Sequence, residues 1–328
     1  MNSFLVIQTA SIGDVILATS VLEKLHKHYP DARIDMLIKK GNEGLFSGHP
    51  FLNEVIIWDK SKKKYYNILR ILYGIKHNHY DAIINIQRFA ITGLLTVLSG
   101  AKYKTGFDKN PFSLFFNKRI KHTIKKLNKH EIERNHQLIA DLTDEKPAAV
   151  KLYLSQNEYS RISQYTTRDY LCIAPASIWF TKQYPVEKWI EFVAEIDPDL
   201  YIYFLGSEQD YDICKEIINR SKHPNCLNLT GKLTLLETTA LMKKAGMNFV
   251  NDSAPLHFAS AVNAPVTVIY CSTIPAFGFG PLSDNSVVVE TDEDLKCRPC
   301  GLHGFRECPE GHYKCAYTIP KEKLLSRI

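Results

Sequence analysis

The sequence predicts an α/β chain of two doubly wound parallel sheets, and two observations carry that prediction. Short apolar runs alternate with stretches of helical period, as strands and covering helices do in a parallel sheet. The alternation also lapses once in mid-chain and then starts again. At 328 residues the chain is long for one core, so two domains are the natural organisation. We place them at residues 1–165 and 166–328.

The first series opens with Phe4–Gln8, a buried-strand run, followed by the turn Thr9–Asp14 and a helical stretch from Val15 to Leu25 that ends near Tyr29-Pro30. Arg33–Ile38, Val55–Trp58 and Asp81–Ile86 read as further strands, with a helix over Tyr66–Ile75. The polar stretch 152–169 reads as the connection between the halves. The second series begins at Tyr170–Pro175 and continues with a helix over 186–196, a strand at Leu200–Leu205 and helices at 211–220 and 235–245. It closes on Asn248–Asn251, the turn Asp252-Ser253, a helix over 255–261 and a strand at Pro265–Tyr270. Pro255 suits the first turn of a helix, where its missing N–H costs nothing, and Asp252 or Ser253 can cap that turn. Such a turn sits at the carboxyl end of its strand, where these folds bind ligands, and a helix N-terminus there suits phosphate. The glycines form no GxGxxG fingerprint, so a dinucleotide cofactor has no motif in its favour.

Hydrophobic residues at 45% and charged residues at 23% are those of a globular protein, and no apolar run approaches the ~20 residues that span a bilayer. With no basic n-region or cleavage site in residues 1–20, a cytoplasmic location is expected. The net charge of +6 is unevenly divided. Residues 1–165 hold 25 Lys and Arg against 15 Asp and Glu, and residues 166–328 hold 16 against 20. Lys60–Lys64 and the run Lys118–Lys129 supply much of the excess, either as solvated loops or as a surface for an anionic partner. No nucleic-acid recognition motif accompanies the charge, so an anionic lipid or saccharide is the better expectation, and a peripheral inner-membrane position is compatible with it. Of eight cysteines, Cys172, Cys214, Cys226 and Cys271 are scattered as reduced core residues are. Cys297, Cys300, Cys308 and Cys315 cluster, and that spacing could bind structural zinc or form a tight reduced loop.

Several separated motifs then fall into one order: Thr9–Val15 after the first strand; Ala174-Pro175-Ala176-Ser177 followed by Lys182-Gln183-Tyr184-Pro185; Phe204-Leu205-Gly206-Ser207; Leu229-Thr230-Gly231-Lys232; and Asn251–His257 followed by Ala264-Pro265-Val266. Together, from about residue 4 to about 320, they resemble glycosyltransferase family 9, the heptosyltransferases that build the inner core of lipopolysaccharide. The resemblance implies a GT-B architecture, two Rossmann-like domains facing across a cleft. The first would receive an anionic glycolipid acceptor of the lipopolysaccharide-core kind, and the second a nucleotide sugar, usually ADP-heptose. It implies an inverting transfer with no cofactor and no catalytic metal. The sequence departs from the family's Asp-Ser/Thr-Gly pattern at Ala254, which a backbone with negative φ would tolerate, and has Tyr184 where Trp is usual.

An inverting transfer needs a carboxylate to take the proton from the attacking hydroxyl, and the resemblance assigns that task to Asp14, whose plainer reading is a helix N-cap. Departure of a nucleoside diphosphate needs positive charge nearby, which Lys182 would supply with Ser177 and Thr181. By resemblance Asp252, Ser253, Ala254, Pro255, Leu256 and His257 line the sugar–phosphate end, with a structural histidine as the alternative for His257. Glu208 or Asp210 could accept from the ribose hydroxyls. Arg88, Lys39, Lys40, Lys104 and Arg134 are candidates for the acceptor's anionic groups, Arg88 foremost because it follows a strand and Arg offers the better fork. A GT-B-like sugar-nucleotide epimerase and a non-catalytic sugar-nucleotide-binding partner of envelope glycan assembly are the competing readings.

Overall fold

The computed structural model describes residues 1–61, 64–124 and 129–328. Lys62 and Lys63 of the first basic run, and Lys125 and Lys126 of the second, lie outside the described residues. The chain divides into two compact units, Met1–Tyr153 and Leu154–Ile328. The expected boundary lay after residue 165, twelve residues later. Residues 156–165 go with the second unit because their helix packs there, as described below.

In the first unit the strands are β1 (Ser3–Gln8), β2 (Arg33–Lys39), β3 (Leu52–Trp58), β4 (Ala82–Asn85), β5 (Tyr103–Phe107) and β6 (Lys118–Ile120). They form one sheet in the order β3-β2-β1-β4-β5-β6, and all pairings are parallel. The helices are α1 (Ile12–His28), α2 (Lys64–His77), α3 (Ala90–Leu98) and α4 (Glu131–His136). On one face α2 and α3 bury Ile71, Ile75 and Leu95 against Leu5, Ile7, Leu37 and Ile83. Central strands covered on both faces read as unbroken apolar runs, which is why β1 and β4 were visible in the sequence. The short strands β5 and β6 were not, because Gly106 and the charges Lys104, Lys118 and Arg119 break the apolar pattern.

The second unit holds β7 (Tyr170–Ala174), β8 (Tyr201–Phe204), β9 (Cys226–Asn228), β10 (Met247–Asn251), β11 (Val266–Tyr270) and β12 (Ser286–Glu290), again all parallel, in the order β12-β11-β10-β7-β8-β9. Its helices are α5 (Gln156–Ile162), α6 (Val186–Ala194), α7 (Tyr211–Ser221), α8 (Leu235–Lys244), α9 (Ala254–Ala261), α10 (Lys314–Tyr317) and α11 (Glu322–Leu325). The stretch 152–169, expected as a connection, contains α5, started by a Ser155–Glu158 capping box. Helix α5 packs against α8, Lys244 lies over the Tyr159 ring at 5.2 Å, and Tyr203 donates to the Tyr165 carbonyl at 2.8 Å. The core is aromatic: Trp189 meets Tyr184 edge-on at 5.3 Å and Phe192 meets Phe249 at 4.8 Å.

Counted within each unit, both sheets have the strand order 3-2-1-4-5-6. The order therefore reverses between β1 and β4 in one sheet and between β7 and β10 in the other, and ligands of such sheets bind outside the carboxyl ends of strands at that reversal. The turns after β1 and β4, and after β7 and β10, hold most of the candidate residues. Among the described residues no helix is long and apolar enough to cross a membrane.

Candidate functional site

In the second unit the turn after β10 is held to the turn after β7 by a buried amide. Asn251, wholly buried, donates from Nδ2 to the Pro175 carbonyl at 2.6 Å and accepts from the Tyr184 N–H at 3.0 Å. The next residue, Asp252, is 7% exposed. Its Oδ2 accepts from Lys182 Nζ at 2.7 Å and from Thr273 Oγ1 at 2.6 Å, so a nearly buried carboxylate is met by a cation and a hydroxyl. Ser253 occupies the N-cap position of α9, but its hydroxyl makes no cap bond. It lies 3.5 Å from the Ala176 and Asn251 carbonyls, at the outer limit for bonding. Neither Asp252 nor Ser253 therefore caps α9 through its side chain. Pro255 stands in the first turn as expected. Ala254 opens the helix outside the left-handed region, so the methyl group there is unstrained. Leu256 and His257 are buried on α9.

Ser177 and Lys182 flank one short turn, where Gln183 Nε2 donates to the Ser177 carbonyl at 2.6 Å. Thr181 is buried and its hydroxyl is engaged. It accepts from the Phe305 N–H at 2.7 Å and lies 3.0 Å from Ser272 Oγ. The hydroxyl thus supports the turn rather than standing open beside Lys182. Asp210 is similarly engaged: its Oδ2 accepts from the Ser207 N–H at 2.7 Å and hydroxyl at 2.8 Å in a capping box. Gly206 permits this, since a Cβ there would lie 2.8 Å from that oxygen. Glu208 is exposed beside Gly231 and is the less committed of the two acids.

In the first unit Asp14 is the third residue of α1. Ser11, not Asp14, is the N-cap, and the Asp14 carboxylate accepts from the Ser11 hydroxyl and, at 3.2 Å, from its N–H. Glu131 lies close enough for Asp14 to raise its pKa. Burial pushes the Glu131 carboxyl up first, and the Arg134 and Arg88 guanidinium groups pull it back. Arg134 is 3% exposed and donates from Nε to Glu131 Oε2 at 2.7 Å, so it is a buried ion-pair partner and not a surface contact for an acceptor. Arg88 is half-buried just after β4. His122, after β6, is pushed down to about 4 by burial and by the positive charges of Arg88, Arg134 and Lys109. Lys39 is exposed at the carboxyl end of β2, and Lys40 pairs with Asp59 at 2.9 Å. Lys104 is the second residue of β5, away from the carboxyl edge. Lys60, from the first basic run, donates to the Thr9 carbonyl at 2.8 Å.

All eight cysteines are free thiols. Cys315 is buried in the aromatic core with Cys308 against it, Cys300 donates to the Cys297 carbonyl at 3.0 Å, and Cys297 lies 3.9 Å from His312 Nε2. Among the described residues no three or more His, Cys, Asp or Glu side chains are grouped to hold a metal ion, so of the alternatives for the cysteine cluster the zinc set is not assembled. Sequence reasoning missed Thr273 on Asp252, and Glu131 beside Arg134. Glu131 had a local signal, its i,i+3 spacing to Arg134. Thr273 had none, because it meets Asp252 only through the neighbouring strand.

Residues 68–313 match the sequence model of Glycosyltransferase family 9 (heptosyltransferase). The chain is 27% identical over 293 residues to lipopolysaccharide heptosyltransferase 3 of Escherichia coli, covering 84% of this chain and 85% of that one. Among solved structures it resembles the glycosyl transferase family 9 protein of Veillonella parvula, with a TM-score of 0.84, 22% identity and coverage of 99% and 96%. It also resembles the ADP-heptose lps heptosyltransferase II of E. coli, with a TM-score of 0.81, 22% identity and coverage of 100% and 97%. These two likenesses establish the GT-B fold expected from the motifs. With three-quarters of its length in the family match, and two Rossmann-ordered sheets carrying the motifs in the turns that follow their strands, the chain belongs to glycosyltransferase family 9.

Proposed function

We propose that this glycosyltransferase transfers heptose from an ADP-sugar to an anionic lipopolysaccharide-core acceptor, with inversion and without a divalent metal. The observation that carries the reading is the Lys182–Asp252 pair at the strand reversal of the second unit, 2.7 Å apart and largely buried. A cation held there can meet the diphosphate of the donor, with the N-terminus of α9 adding its dipole, and supplies the charge that a metal supplies elsewhere. In the reaction the acceptor hydroxyl attacks the anomeric carbon as the bond from that carbon to the diphosphate oxygen breaks. Asp14 takes the hydroxyl proton, and ADP leaves with its charge met by Lys182. Glu208 accepts from the ribose, and Arg88 takes an anionic group of the acceptor, for which the net +10 of residues 1–153 (24 Lys and Arg against 14 Asp and Glu) is the right field. Relatives named as lipopolysaccharide heptosyltransferase support the sugar and acceptor class, and the E. coli ADP-heptose enzyme supports the donor.

The test is ADP release from ADP-heptose with and without a truncated core acceptor. Acceptor-dependent release that survives EDTA and falls ~100-fold or more in Asp14→Ala supports the reading. Equal rates in wild type and Asp14→Ala remove Asp14 from the proton step. Release that ignores the acceptor points to hydrolysis or epimerisation instead.

A further inference from the structure

The loop between β12 and α10 carries Cys297, Cys300 and Cys308, yet an arginine, not sulfur, makes its hydrogen bonds to the strand ends. The Arg298 side chain, 12% exposed, sends Nε to the Cys271 carbonyl at 2.7 Å and Nη2 to the Thr273 and Tyr270 carbonyls at 2.9 and 3.2 Å. Its Nη2 also pairs with Glu290 at 2.5 Å. Tyr270 ends β11 and Glu290 ends β12, so one guanidinium ties two strand ends to the turn that follows β11. That turn carries Thr273, 1% exposed, whose hydroxyl donates to the Asp252 oxygen that also takes Lys182. The same loop lies against the stem of Lys182. Thr181 donates its N–H to the Phe305 carbonyl at 3.1 Å and accepts from the Phe305 N–H on its hydroxyl at 2.7 Å, and the Cys300 N–H reaches the Ser272 carbonyl at 2.9 Å. Gly304, at φ +76°, leaves no room for a side chain, since a Cβ would lie 3.2 Å from Lys182 Cγ and 2.9 Å from Thr181 Oγ1.

A lysine on a four-carbon stem has many rotamers, and a site that needs its charge at one point binds better when that rotamer is fixed beforehand. We infer that Thr273, held in place by Arg298, is a positioning residue for Lys182. It fixes the Asp252 carboxylate so that the ammonium is presented to the donor's diphosphate already oriented, which makes the cysteine-bearing loop a supporting wall of the donor site. This rests on the reading of Lys182 as the diphosphate ligand.

Steady-state kinetics and calorimetric ADP binding on the full chain test it, using Thr273→Val, Thr273→Ser, Lys182→Met and the double variant Thr273→Val/Lys182→Met. Thr273→Val is expected to raise the donor KM and the ADP Kd about 10-fold, the scale of one lost hydrogen bond to a charged group, with the acceptor KM unchanged. Thr273→Ser restores both. In the Lys182→Met background Thr273→Val adds less than about two-fold, because its effect runs through the lysine. Arg298→Lys keeps the charge but not the fork and reproduces a weaker form of the Thr273→Val effect. Full additivity of the two single variants, or failure of Ser to rescue, overturns the positioning role. If Lys182→Met raises the donor KM but Thr273→Val does not, this inference alone fails. If Lys182→Met changes neither donor KM nor ADP binding, the diphosphate reading fails and takes the inference with it.

Discussion

After β1, the turn that carries Asp14 is closed by residues three apart, with the carboxylate answering its own N-cap serine at the half-exposed start of a helix. After β10, the turn that carries Asp252 is closed by Lys182 and Thr273, which lie on other segments of the second unit, and the carboxylate is nearly buried. Two acids in turns beside the strand reversals of two sheets of the same strand order are thus held in opposite ways. A locally held carboxylate at a half-exposed helix start can be reached by a substrate hydroxyl. One locked by a cation and a hydroxyl is suited to hold that cation still. In the proposed reaction, geometry of this kind, more than residue type, separates the proton acceptor from the grip on the diphosphate.

The largest expected effect sharpens the contrast within the first unit. Arg134→Met leaves Glu131 buried without its ion partner and should cost about 3–5 kcal/mol in urea unfolding, since breaking one side of a buried pair strands the other charge. A loss below about 1 kcal/mol would mean that water reaches the pair. Next comes Lys182→Met, which strips Asp252 of its cation but leaves Thr273, for an expected loss of about 2 kcal/mol by the same method. No loss would erase the distinction between the two turns. Asp14→Asn keeps a polar group at its position in the helix and should cost less than about 1 kcal/mol, even as turnover collapses. A larger destabilisation would show that Asp14 serves the fold as much as the chemistry.

The smallest and most gradual effect is on pH. In the folded chain His49 and His122 each titrate at about 4, against 6.5 for an ordinary histidine, both chiefly because of burial. Between those values the unfolded chain binds protons that the folded chain refuses, so stability falls as pH is lowered through that window and the loss is complete below about 4. Unfolding midpoints measured from pH 7 to 4 should decline, and His122→Gln should flatten part of that decline. An unchanged slope in the variant would place the proton uptake elsewhere.

Much of the second site was readable because its parts are local. Pro255 in a first helical turn, a strand running straight into Asp252, and Lys182 just before a Tyr-Pro helix start each fit within a few residues. Two things were not readable. The 2.7 Å ion pair between Lys182 and Asp252 depends on parallel strands from distant segments ending side by side. Arg134, taken from its charge as a contact for an anionic partner, is buried beside Glu131, and charge alone says nothing about burial. The strand β12 did leave a trace in Val287-Val288-Val289, a β-branched run that the pattern reading passed over.

By itself the sequence determined the alternation of strand and helix and the turns that carry the family's motifs. Those features come from side-chain period and turn residues, which act within a helical turn or a strand's length. Tertiary structure alone decided which carboxylate faces a cation, that Thr181 and Asp210 spend their oxygens on supporting turns, and that Arg298 braces the segment beneath Thr273. A hydrogen bond or ion pair acts only within about 3 Å and in the right direction. Chain order does not set such distances, and the packing of the two sheets with their helices does.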